Sequence, residues 1–272
     1  MANLKSLKVF PVAGVAWSRT FAALMQMPVL FAGLAVAVCA VNVFYLAMVH
    51  DGIANYTGVN SLIWLIAGML LDLLVLAVLA SFLALIILRW ELLGEKPSRE
   101  NVPGKSGRFL RVALLSAILS LIYAVPNVIT VIAAGSDIIR FTLPYGLSVA
   151  AIFFGYAISI LFFLVCMPLY AALAVDSSAA SFSNAVADTG RGVGRIFLVW
   201  LVVSLPVWLL QIAVSWALAK AVVTPRPDIV FSMTQSIFFL VWVTAMAIAA
   251  AYVFKCYGQN LAGNAASTLK AP

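Results

Sequence analysis

Charge is what this sequence has least of. Asp, Glu, Lys and Arg make up 9% of its 272 residues, where a soluble domain carries about 25%. A chain this poor in charge cannot cover a water-exposed surface. Histidine is nearly missing. The single one, His50, stands at the end of an apolar run, and one histidine supports no metal cluster. Cysteine is scarce and odd in number. Cys39, Cys166 and Cys256 each lie in or beside an apolar run, with no metal or redox spacing between them, and read as isolated buried thiols. There is no His-Glu-x-x-His, no Gly-x-Ser-x-Gly and no Gly-x-x-x-x-Gly-Lys. Acidic pairs suited to general acid–base work are missing from the apolar runs. These absences argue against an enzyme, a metal centre and a cofactor. The net charge of +7 does not point to nucleic acid, because the basic residues sit beside apolar runs, where membrane topology places them.

What the chain has in abundance is hydrocarbon. Hydrophobic residues make up 65% of it. A bilayer core about 30 Å thick takes roughly 20 apolar residues of helix, and six runs reach that length, at about 28–49, 61–89, 109–133, 146–175, 196–223 and 232–257. The expected fold is all-α, a polytopic six-helix membrane bundle over residues 21–257. Before it, residues 1–20 alternate Leu4, Leu7 and Phe10 with Lys5 and Lys8, a pattern for a helix at the membrane surface. After it, the small and polar tail 258–272 reads as poorly ordered. In the polar stretch 176–195, Ser177 or Ser178 is expected to cap a short helix that Gly190 or Gly192 ends, with Phe182 and Val186 on one face.

Lys and Arg divide unevenly between the two ends of these spans. Thirteen of the sixteen fall on the side of the N-terminus, the second-to-third and fourth-to-fifth connections and the C-terminus; Arg140, Lys220 and Arg226 fall on the other. The positive-inside rule then puts both termini in the cytoplasm. Arg19, Arg108 and Arg195 open the odd-numbered spans and stand 89 and then 87 residues apart. That spacing suggests three repeated helical hairpins around a shared centre. Small residues four apart, such as Gly33 with Ala37 and Ala245 with Ala249, would let the helices approach closely in lipid.

The second run, from Ser61 to Arg89, is the one the others are expected to be organised around. It carries one acid near its middle, Asp72. A carboxylate there costs roughly 2.5–3.5 kcal/mol on insertion scales, so Asp72 faces protein, water or a ligand, or is protonated. Asn42, Asn127 and Gln211 fall at comparable depth in other spans, and Pro126 and Pro206 lie near them. Two expectations follow: a polar pocket of Asp72, Asn42, Asn127 and Gln211 for a proton, a cation or a headgroup, or a set of structural hydrogen bonds between helices. Arg108, Arg111, Arg191 and Arg195 are expected to meet anionic lipid headgroups, at about 1 kcal/mol each.

Phe182, Ala185 and Gly190, followed by Arg195, Ile196 and Phe197, form a short amphipathic helix leading through a basic-aromatic start into an apolar span. In this the chain resembles the multispan membrane domain fused to some bacterial glycerophosphodiester phosphodiesterases, and its stand-alone inner-membrane relatives. The catalytic phosphodiesterase domain is not present. The resemblance implies an integral module of the bacterial inner membrane. Two functions fit the sequence: a non-enzymatic scaffold, accessory subunit or envelope factor working through lipids and a protein partner or a second copy, and a small transporter or channel centred on Asp72.

Overall fold

A computed structural model describes residues 7–55, 59–95, 107–135, 145–190, 192–221 and 227–263. Every element among them is a helix. Two short or surface helices and one small C-terminal helix accompany six long ones: α1 Val9–Gln26, α2 Pro28–Asn55, α3 Val59–Leu93, α4 Gly107–Gly135, α5 Tyr145–Ala174, α6 Phe182–Thr189, α7 Val193–Ala221, α8 Pro227–Tyr257 and α9 Gln259–Ala262. The six long helices α2, α3, α4, α5, α7 and α8 are each long and apolar enough to cross a membrane. Their apolar spans fall within a few residues of the expected ones, because length and hydropathy alone set them. Pro126, Pro168 and Pro206 stand inside α4, α5 and α7.

The centre of the bundle belongs to α8, not to the Asp72 run. In α8, 67% of the most apolar window is buried; in the other five spans the share is at most 33%. Ala245, Ala247, Ala249, Ala250 and Ala251 are all buried, with Met246, Ile248, Val253 and Phe254 between and beyond them. Small side chains let the neighbouring backbones close on this helix from every side. It touches α1, α2, α3, α5 and α7.

The remaining contacts follow a cyclic order. α3, α5 and α8 touch one another. α2 lies against α3 and α8, α4 against α5 and α3, and α7 against α8 and α5. Thus α2, α4 and α7 each pack on the long helix that follows them and on one further long helix, α8, α3 and α5 in turn. Hydroxyls join some of these pairs. Ser116 Oγ on α4 lies 2.6 Å from Ser81 Oγ on α3 and 2.7 Å from Tyr170 Oη on α5. On α8, Trp242 Nε1 donates to Ser204 Oγ of α7 at 2.9 Å.

α1 is more than a surface strip. It runs past residue 20 to Gln26, breaks at Met27, and buries Val12, Ala13, Ala16, Thr20 and Ala23 against α7 and α8. Within the tail, residues 259–262 form a helix. α9 sits on α5 and α6, with Leu261 fully buried; residues 264–272 lie outside the described residues.

Candidate functional site

Asp72 stands on the α3 face that meets α2. It lines an open groove of about 270 Å³ with Gly68, Leu71 and Val75 of α3 and Ala40, Val41, Phe44, Tyr45 and Met48 of α2. Gly68 lies beside the Tyr45 ring, where an added Cβ would make ordinary contact at 3.5 Å. The mouth is on the flank of the bundle, where Phe44 and Leu71 are exposed. The Oδ1 atom of Asp72 is buried and makes no hydrogen bond among the described residues.

The other three polar residues make separate arrangements. Asn42 Nδ2 turns to α8 and donates to Ser236 Oγ at 3.4 Å. Asn127 Oδ1 accepts from Tyr156 Oη of α5 at 2.9 Å, while its Nδ2 donates to the Tyr123 carbonyl at 2.7 Å. Gln211 is half-buried on α7. None of these three lines the groove of Asp72. Asn42 and Asn127 act as bonds between helices, the use most common in lipid. Equal depth brought the four to one level, but their directions around each helix differ.

At the basic end of the bundle, side chains pair with one another. Arg108 bonds Asp176, and Arg111 Nη2 lies 3.4 Å from the same carboxylate. Asp176 follows the end of α5 with a left-handed φ of 54°. Arg89 donates to the Ala174 carbonyl at 2.8 Å and to Glu95 at 2.7 Å, so it satisfies a carbonyl that the end of α5 leaves open. Arg19 Nε lies 3.9 Å from the buried Glu91, with its guanidinium over the Trp90 ring. Of the expected headgroup contacts, Arg108 and Arg111 therefore share an internal acid. Arg195 is exposed in the first turn of α7, and Arg191 lies outside the described residues. At the other end, Lys220 Nζ sits 3.7 Å from the Trp216 ring centroid, a pairing suited to a membrane–water boundary.

One cluster was missed from the sequence. Asp188, buried at the end of α6, accepts from the backbone N–H of Asn260 at 3.1 Å and of Leu261 at 3.0 Å. Ser177 is not a cap: its hydroxyl donates to the carbonyls of Leu261 and Ala262. Ser181 caps α6 instead, accepting from Asn184 N at 3.2 Å, and Gly190 ends the helix as expected. Phe182 and Val186 are both exposed on it. The only sequence signal for this cluster is one acid in a short amphipathic helix.

No known protein family, curated protein or solved structure matches the chain.

Proposed function

We propose that this chain is a non-enzymatic module of a bacterial inner membrane, with both termini cytoplasmic, that acts through its flanks as a scaffold, accessory subunit or envelope factor. The observation that carries this reading is the filling of the bundle axis by α8, from Leu240 through Phe254. A helix whose small residues are packed on several sides leaves conduction little space there. Contacts with lipid and with a protein partner or second copy remain, along exposed faces that include Phe153, Phe154, Leu209 and Ile212. The cyclic contact order of α2–α3, α4–α5 and α7–α8 supports the reading of three repeated hairpins. The resemblance to the membrane domain of glycerophosphodiester phosphodiesterases rests on Phe182 and Ala185 in α6, on Gly190 at its end and on Arg195, Ile196 and Phe197 in α7, and agrees with a module lacking its own chemistry.

A second reading, a small transporter working at Asp72, is favoured by its unbonded Oδ1. Gentle extraction of the tagged protein from its native membrane, followed by mass spectrometry, separates the two. The first reading expects a protein at fixed stoichiometry that reciprocal capture returns. A lone protein that moves a solute across reconstituted vesicles, with the flux abolished in Asp72→Asn, would replace it with the second.

A further inference from the structure

We infer that the groove between α2 and α3 is a lateral binding site for the protonated end of an alkylamine, entered from the lipid, with Asp72 as its anion. This goes beyond a role in protein and lipid contacts and does not depend on it.

Among the described residues an Asp72 oxygen is buried without a hydrogen-bond partner, a condition native proteins seldom leave unanswered. The stretches of helix beside it hold no counter-ion; the basic residues of these helices, Arg89 of α3 and Lys255 of α8, stand near the helix ends. Residues 28–48 of α2, 63–88 of α3 and 229–254 of α8 contain neither Lys nor Arg. Tyr45 is the other titratable side chain lining the groove; the remaining lining is hydrocarbon, the Met48 thioether and glycine. A partner must therefore bring its own donor or positive charge.

The surroundings then choose among partners. Calcium takes six to eight oxygen ligands and magnesium a near-octahedral set; a single carboxylate among apolar side chains suits neither. A lipid headgroup is at the wrong height. Asp72 lies nine residues beyond Ile63, where the apolar span begins, which is about 14 Å along a helix. The groove, at about 270 Å³, falls below the roughly 300–1,000 Å³ of pockets for drug-sized ligands. It fits one end of a molecule whose remainder lies outside. The open side faces lipid past Phe44 and Leu71, so a hydrocarbon tail needs no other shelter. An ammonium group on an alkyl chain meets all of these conditions. It donates an N–H to the carboxylate, and its first methylenes lie against Val41, Phe44 and Val75.

The test uses the full chain in lipid nanodiscs and N,N-dimethyldodecylamine as probe, with dodecanol as the neutral control. Dicyclohexylcarbodiimide, which partitions into lipid, reports whether the Asp72 carboxyl is free. Its adduct is located by peptide mass spectrometry. With the amine at ten times its dissociation constant, labelling of Asp72 should fall roughly tenfold, while dodecanol leaves it unchanged. Native mass spectrometry should find one amine on the wild type and none on Asp72→Asn, a variant of the same shape. Equal protection by dodecanol would reduce the groove to an apolar cleft and overturn the proposal. So would the absence of any labelling at Asp72 in the free protein. Labelling that appears only after extraction from the native membrane would assign the groove to a partner helix, and would overturn it as well.

Discussion

Asp188 and Asn260, 72 residues apart, are joined twice: the Asp188 carboxylate accepts from the Asn260 backbone N–H at 3.1 Å and from its side-chain amide at 2.7 Å. A third bond comes from Leu261 N at 3.0 Å. One buried acid thus ties the chain after the last span to the short helix before α7. Hydrogen bonds to a charged group contribute about 1.5–3 kcal/mol each. Asp188→Ala should therefore release the segment. Hydrogen exchange at the amides of Asn260 and Leu261 is expected to quicken at least tenfold, since about 1.4 kcal/mol corresponds to that factor. Unchanged exchange would mean that Leu261 burial and Ser177 hold the segment unaided.

The same corner contains a close approach that only glycine permits. A Cβ on Gly192 would lie 2.5 Å from the Tyr257 ring, and Tyr257 is itself buried at the end of α8. Gly192→Ala should destabilise the protein by about 1–3 kcal/mol, as overpacking does. Adding Tyr257→Leu should recover part of that loss, although Tyr257→Leu alone is destabilising. Thermal unfolding of the four proteins in one detergent completes the cycle. Strictly additive effects would deny the contact.

Asp176 combines an unusual backbone with a double ion pair, and the two contributions can be separated. Its φ of 54° is a region that costs a residue with a Cβ about 1 kcal/mol or more. Both Asp176→Gly and Asp176→Ala remove the carboxylate from Arg108 and Arg111. The glycine variant should nevertheless be the more stable of the two by about 1 kcal/mol. Each variant also frees two guanidiniums at the basic end. Binding to vesicles containing anionic lipid should tighten, by up to about 1 kcal/mol for each arginine released. Vesicle sedimentation at two salt concentrations measures this; no change in either variant would mean that the arginines face away from the headgroups.

The sequence and the structure agree where one dimension suffices. Span positions depend on length and apolarity, so Pro28 in α2 and Tyr257 in α8 are legible at once. The ends of α6 are local too, and Gly190 ends it as expected, but the cap is Ser181, directly before the helix, rather than Ser177 or Ser178. Direction around a helix is harder to read. Asp72, Asn42 and Asn127 were placed at one depth, but bond or face different neighbours, because depth counts residues while facing depends on packing. The central place of α8 was hidden for a related reason. Rows of small residues occur in several spans, and only the three-dimensional contacts reveal that the row from Ala245 to Ala251 is enclosed. The tie between Asp188 and Asn260 joins distant segments and has no local pattern.

In the proposed function α8 closes the axis and leaves the flanks to act. Single cysteines at Ala247 and Ala251, in a chain with Cys39, Cys166 and Cys256 replaced by serine or alanine, test it most directly. Both positions are buried. A charged, membrane-impermeant thiol reagent added to either side of vesicles should leave both unmodified, while a cysteine at exposed Ser178 reacts from one side. Modification of Ala247→Cys or Ala251→Cys at a rate near that of the exposed control would reveal a water path through the bundle and contradict the account.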